Sequence, residues 1–195
     1  MRLIQFVVTI VISILTAVFT AKLCTSRWEG KFIKTCIAGC VLSVLTTVIS
    51  VVFNGLGMLN VQAIFLFCVF FYASYGDIKT HEADDFIHII VLAVALIGKS
   101  AEQMPAALFS AIGLGGILLL VAFIPGTNVG GADIKFVAAS AFLTTFEGGL
   151  LGLGIGTLAA LLFNSPFSKK EGAGKGFPML PYLSCSYMIV YLLFK

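Results

Sequence analysis

The fold is decided by residues 58–85, which read MLNVQAIFLFCVFFYASYGDIKTHEADD. The stretch contains no charged residue up to position 75, and from Asp77 onward it becomes rich in charged residues. A run of roughly 17–25 apolar residues is long enough for an α-helix to cross the ~30 Å hydrocarbon core of a bilayer. We therefore predict a membrane helix over 58–75, followed by a loop in water over 76–85.

The remainder of the chain has the same character. Of its 195 residues, 59% are hydrophobic and 11% are charged, with a mean hydropathy of +1.09, whereas a soluble domain carries about 25% charged residues. This composition excludes a soluble globular protein and predicts a single membrane-embedded domain over 1–195. We expect the lipid bilayer as its partner and no nucleic acid, and the sequence does not distinguish a monomer from an oligomer.

Apolar segments recur along the chain, and because three of them are short we expect six to eight membrane helices, most simply eight. Alternation with period two is absent, which favours helices over strands and predicts an all-α, polytopic membrane bundle. The first segment resembles a signal peptide but lacks a small-x-small cleavage site, so we interpret it as a membrane helix. The segments are 3–22, 32–53, 58–75, 86–99, 105–124, 134–146, 149–163 and 179–194.

Basic residues are distributed unevenly between the two sides of this arrangement. With the N-terminus outside, the loops 23–31, 76–85, 125–133 and 164–178 face inward, and nine of the twelve Lys and Arg residues lie in or beside them. Because cytoplasmic loops are enriched in Lys and Arg, this distribution predicts that both termini are outside. The longest loop, 164–178, is rich in Lys, Gly and Ser and is expected to be mobile.

Two acidic residues stand in the same local pattern, Asp77 followed by Ile-Lys and Asp133 followed by Ile-Lys. The two helices predicted between them form an out-and-back hairpin, so both carboxyls should meet at the same membrane face on neighbouring helices. Two carboxyls held close together share a proton, and such a pair can deprotonate water while polarising a peptide carbonyl. The step Gly130-Gly131 before Asp133 would let a substrate strand approach the backbone closely.

Other interpretations of the same residues stay open. An Asp at a helix start is often an N-cap or a dipole partner, worth about 1 kcal/mol. A small ion- or proton-coupled transporter would use acidic residues near the bilayer midplane, and a scaffold protein of the envelope would leave the pair without a role. His81 and His88 are expected to be solvated loop residues, and the five cysteines to be packing residues. We expect no metal and no cofactor.

Three motifs resemble one family. Residues 130–135, GGADIK, resemble the GxGD motif of intramembrane aspartic peptidases, and residues 77–85, DIKTHEADD, resemble the first half of the site in type IV prepilin peptidases. Pro178 and Pro181 match the Pro-x-x-Pro lead-in to that family's last helix. In this chain Ala132 replaces the second Gly of GxGD, and Ala83-Asp84 replace an Ile-Pro pair.

The resemblance implies a membrane aspartic endopeptidase that cleaves the short basic leader of prepilin or pseudopilin precursors in the cytoplasmic (inner) membrane, with its active site facing the cytoplasm. Asp77 and Asp133 would be its catalytic residues. The loop 23–31 stands where many relatives carry a zinc-binding domain linked to N-methylation, so the resemblance is to the small form without it. The supporting residues it implies are Lys79, Asp85, Gly130, Gly131, Lys135, Pro178 and Pro181.

Overall fold

The computed structural model describes residues 2–125, 129–164 and 177–194. Within these ranges the chain forms α-helices and one short 3-10 turn, with no β-strand, which confirms the all-α prediction. The eight helices are α1 (Arg2–Arg27), α2 (Phe32–Asn54), α3 (Met58–Thr80), α4 (Phe86–Ala95), α5 (Met104–Ala122), α6 (Gly131–Leu143), α7 (Phe146–Asn164) and α8 (Leu180–Phe194).

Five of the described helices, α1, α2, α3, α5 and α7, are long and apolar enough to cross a membrane. The helices α4, α6 and α8 have 10, 13 and 15 residues, which corresponds to ~15–23 Å at 1.5 Å per residue. The outer surface is apolar, as lipid contact requires, with Leu3, Phe123 and Leu162 about three-quarters exposed. Soluble proteins rarely leave such large apolar areas uncovered.

Several predicted helix ends are wrong: α4 ends at Ala95 rather than at 99, and α6 spans Gly131–Leu143 rather than 134–146. The largest errors concern the first and third helices. The helix α1 continues to Arg27 and α3 continues to Thr80, so the connections are residues 28–31 and 81–85 rather than the loops 23–31 and 76–85. A helix continues beyond its apolar run until the backbone meets a terminating residue, and here His81 adopts the left-handed conformation that ends α3 (φ 57°). Of the predicted mobile loop 164–178, residues 165–176 lie outside the described residues.

The helices α1 and α2 are joined by a seam of hydroxyl groups in otherwise apolar surroundings. The Oγ atoms of Ser13 and Ser43 lie 2.7 Å apart, and the hydroxyl of Thr47 donates to Ser13 at 2.9 Å. Interhelical hydrogen bonds of this kind hold membrane helices together where the hydrophobic effect does not. On the other side of the molecule, Gly152 of α7 allows close packing, because a Cβ there would lie 2.9 Å from the ring of Tyr187 in α8.

The core of the bundle lies between α3, α6 and α8. No Cα atom of α3 comes within 8 Å of a Cα atom of α6, so these two helices face each other across a gap instead of being direct neighbours as predicted. Large aromatic rings fill the middle of the gap: Phe70 of α3 lies 5.2 Å from Phe136 of α6, and Phe136 lies 6.4 Å from Tyr187 of α8.

Candidate functional site

Asp77 lies in the last turn of α3 and is 7% exposed. Its Oδ2 atom accepts a hydrogen bond of 2.8 Å from the backbone N–H of Leu180, and the carboxyl also bonds the backbone of Met179. The carboxyl therefore ties the end of α3 to the beginning of α8. Asp77 lies at the end of a helix, so the interpretation of this residue as an N-cap at a helix start is wrong. Its carboxyl nevertheless accepts a free backbone N–H at the start of α8.

Asp133 lies in the first turn of α6 and is partly buried. Its carboxyl bonds the backbone of Gly130, the residue that precedes the helix. A Cβ atom at Gly130 would lie 2.9 Å from Asp133 Oδ2. Because glycine has no side chain, the carboxyl can occupy this position. No atom crowds the corresponding position at Gly131. Gly130 therefore accommodates the Asp133 carboxyl, whereas Gly131 has open space beside it, and the approach of a substrate strand at this step stays a prediction.

The two carboxyls lie near each other in space. The charge of Asp77 acts on the carboxyl of Asp133, which places the two groups within electrostatic reach of each other. They approach from helices whose backbones stay apart. The rings of Phe70 and Phe136 pack between the same two helices, 5.2 Å apart. Two carboxyls that feel each other's charge do not both ionise easily, which favours one protonated and one ionised group.

Asp85 and Lys135, both expected to support the site, form an ion pair between the start of α4 and α6, with Nζ and Oδ1 2.7 Å apart. The Lys135 ammonium lowers the pKa of the Asp85 carboxyl by its hydrogen bond and its charge. Both side chains are largely exposed, Lys135 at 56% and Asp85 at 78%. The pair therefore lies at the surface, where it connects α6 to the residue before α4. Lys135 follows Asp133 by two residues, about 200° around α6, so the ion pair lies on a different face of the helix from Asp133.

The preceding residue, Asp84, reaches in another direction. Its Oδ1 atom pairs with Arg27 of α1 at 2.8 Å, and its Oδ2 atom accepts from the Tyr72 hydroxyl at 3.2 Å. Two consecutive aspartates therefore fasten the connection 81–85 to α1 on one side and to α6 on the other. The sequence motif contains both residues, but it does not indicate that they have different partners.

Pro178 and Pro181 flank the backbone groups that reach Asp77. Pro178 precedes α8, and Pro181 is the second residue of the helix, where the missing N–H of proline is tolerated. The predicted lead-in to the last helix is therefore confirmed in position. Its contribution to the site is the pair of backbone groups between the two prolines, at Met179 and Leu180, which sequence reasoning missed.

Lys79 does not lie beside the Asp pair as expected. At 100° per residue it is about 200° around α3 from Asp77, and its Nζ lies 5.9 Å from the centre of the Tyr75 ring. It faces the connection between α1 and α2. A residue two positions after an inward-facing one lies on the opposite face of a helix, so Lys79 points away from Asp77.

The two histidines differ. His81 is exposed, as predicted, and lies close enough to Asp77 for its charge to act there. His88 is 6% exposed, so the prediction of a solvated loop residue is wrong: α4 begins at Phe86, and its helical phase turns His88 inward with Ile87 and Val91. Neither nitrogen of His88 has a hydrogen-bond partner among the described residues.

Trp28 is a second contribution that the motifs do not reveal. Its ring covers Gly76, the residue before Asp77, and a Cβ at Gly76 would lie 2.7 Å from the ring. The ring also packs against Tyr72 at 4.7 Å. The available signal was the single tryptophan in a short polar connection. Trp28 thereby helps fix the turn of α3 that carries Asp77.

Within the described ranges, no group of three His, Cys, Asp or Glu side chains is placed to hold a metal ion. Comparisons with protein-family models, curated proteins and solved structures found no match to this chain. Its function is therefore inferred from the residues of the site.

Proposed function

We propose that the chain is a membrane aspartic endopeptidase that removes the short basic leader of type IV prepilin-like precursors, with Asp77 and Asp133 as its catalytic pair. The observation that carries this proposal is that a nearly buried carboxyl at the end of α3 and a partly buried one at the start of α6 lie within electrostatic reach of each other. The motif resemblance around both residues supplies the substrate class.

The chemistry needs only these two groups and a water molecule. One carboxylate takes a proton from water as the water oxygen attacks the scissile carbonyl, while the other carboxyl donates its proton to the carbonyl oxygen. When the tetrahedral intermediate collapses, the C–N bond breaks and the first carboxyl gives its proton to the leaving amine. One hydroxyl of the intermediate gives its proton to the second carboxylate as the product carboxyl forms, so the pair again holds one proton. The Leu180 N–H on Oδ2 keeps the Asp77 carboxyl in a fixed orientation during these steps.

The position of the acidic residues favours this proposal over the ion-coupled transporter. In the described part of the chain every Asp and Glu lies in a connection, in the 3-10 turn, or in the first or last turn of a helix. A carrier with its binding site near the midplane would place acidic groups in the middle of its helices. We further propose that all eight helices lie in the membrane with both termini outside, as the distribution of basic residues predicts.

The test is co-expression of the chain with a prepilin-like precursor whose size is followed on gels. Asp77→Asn and Asp133→Asn should each lower the cleavage rate by about a thousandfold or more, the scale of removing a member of a catalytic pair. Glu147→Gln is the matched control, since Glu147 is also an acid in the first turn of a helix, and it should cleave like the wild type.

Immunoblots of the membrane fraction establish that all variants accumulate equally. Wild-type cleavage by either Asn variant would refute the assignment of the pair. If the wild type itself processes no precursor of this class, the peptidase proposal fails as a whole.

A further inference from the structure

A second cleft opens at the same end of the bundle, on the side of α3 away from the Asp pair. It has a volume of about 670 Å³ and lies between the end of α1, the start of α2 and the end of α3. Three lysines line it: Lys31 and Lys34 at the start of α2, and Lys79 from the last turn of α3.

Positive charge dominates this lysine cleft. Glu29 is the only acid among its lining residues, against three ammonium groups. The ion pairs found in the described part of the chain use Arg27 and Lys135 instead, so none of the three lysines is neutralised by a described carboxylate within 4 Å. Three like charges gathered at a concave surface repel each other, and an anion bound among them would relieve that repulsion.

The walls of the lysine cleft are well defined. Gly30 can carry no side chain because a Cβ there would collide with the Tyr75 hydroxyl, so the turn lies directly on α3. Glu29 takes the left-handed conformation (φ 44°) that lets the chain make this turn. The same Tyr75 ring lies beneath the Lys79 ammonium. The turn and the ring together hold cations from two different helices around one space.

We infer that the lysine cleft binds the phosphate of an anionic glycerophospholipid headgroup. Lysine binds phosphate as a compact point charge, and basic pockets between membrane helices at the water boundary are suited to lipid headgroups. The helices that form the cleft, α1, α2 and α3, are among those long enough to cross the bilayer, and the cleft lies at their ends.

The surface next to the lysine cleft fits the acyl chains of the same molecule. One turn further along α2 from Lys34 lies Ile37, which is 60% exposed, and Ile33 beside it is 72% exposed. A headgroup held by the lysines would therefore leave its chains along an apolar helix face. A soluble phosphate compound would make no contact with that apolar face, so we identify the ligand as a lipid.

The experiment measures lipid retention by native mass spectrometry on the full chain, released from nanodiscs of phosphatidylcholine with or without phosphatidylglycerol. The test variant is K31Q/K34Q/K79Q. Its control is K22Q/K169Q/K170Q, which removes the same charge from lysines predicted to lie on the same side of the membrane. Each lost cleft lysine should weaken phosphatidylglycerol binding about fivefold, so the single variants should show graded losses.

Selective loss of bound phosphatidylglycerol in the test variant, with retention in the control, is the expected result. Equal loss in both would overturn the proposal in favour of a diffuse positive surface, as would wild-type retention in the test variant. Binding of inorganic phosphate to the wild type as tightly as phosphatidylglycerol would overturn the lipid as ligand, because the apolar surface beside the cleft would then contribute nothing. Thermal unfolding of each variant verifies the fold, and the single variants K31Q, K34Q and K79Q decide the matter if the triple variant does not fold.

Discussion

Asp77→Ala and Asp77→Asn are expected to separate the structural role of this carboxyl from its proposed catalytic role. The group accepts the N–H of Leu180 at 2.8 Å, and Leu180 is 1% exposed. Alanine removes the acceptor and leaves a buried N–H without a partner. Asparagine retains an oxygen of similar position and size but has no charge and no proton to share.

The two costs can be estimated from the hydrogen bond. An unpaired buried N–H costs about 1–3 kcal/mol, whereas replacing a charged acceptor by a neutral one costs about 1 kcal/mol. Asp77→Ala should therefore lower the free energy of unfolding by about 2 kcal/mol and Asp77→Asn by about 1 kcal/mol. For a chain of this size these values correspond to falls of about 4–8 °C and 2–4 °C in Tm.

The measurement is thermal unfolding of the detergent-purified chain by circular dichroism, with Glu147→Ala as the control for loss of an acid at a helix end. Cleavage should be lost in both Asp77 variants although their stabilities differ. Equal destabilisation by Ala and Asn would refute the hydrogen bond as the source of the effect, and unchanged stability in both would show that the connection between α3 and α8 contributes nothing.

Two further predictions concern the surroundings of the site. The Lys135 ammonium lowers the pKa of Asp85. Their ion pair therefore contributes stability above the unfolded-state pKa of about 3.9, and this contribution is lost as the pH falls through the lower folded-state pKa. Asp85→Asn should be slightly less stable than the wild type at pH 7, and denaturant titrations should show a smaller difference at pH 3. Gly76→Ala should lower the free energy of unfolding by about 1–3 kcal/mol, because the new Cβ crowds Trp28, and it should shift the fluorescence emission of this single tryptophan. Trp28→Leu in the same chain should recover part of the lost stability. An unchanged spectrum and Tm in Gly76→Ala would contradict the close packing.

Hydropathy predicted where the helices lie, because apolar runs and charged connections differ strongly in composition. It did not predict where α1 and α3 end, because a helix stops at backbone features such as the left-handed His81, not at the last apolar residue. The same error put Asp77 in a loop. In a helix its phase is defined, and that phase separates it from Lys79.

The site was predictable as far as its motifs reach. The spacing of the two aspartates indicated one shared face, and the two prolines indicated the start of the last helix. Contacts between distant segments were not predictable, since nothing local marks the N–H of Leu180 as the partner of Asp77 or Arg27 as the partner of Asp84. The inward phase of His88 likewise depends on where α4 begins.

Because α3 and α6 do not touch through their backbones, the separation of Asp77 and Asp133 depends on the rings of Phe70 and Phe136 packed between them and on the other elements that hold each helix. The start of α8 holds Asp77 through the N–H of Leu180, and the residue before α4 holds α6 through the pair Asp85–Lys135. Contacts outside the two carboxyls therefore contribute to the distance between them. Under the proposed peptidase function, substitutions in α4 or at the start of α8 would change which peptides fit while both carboxyls stay intact, so precursor selectivity would diverge without any change in the two aspartates.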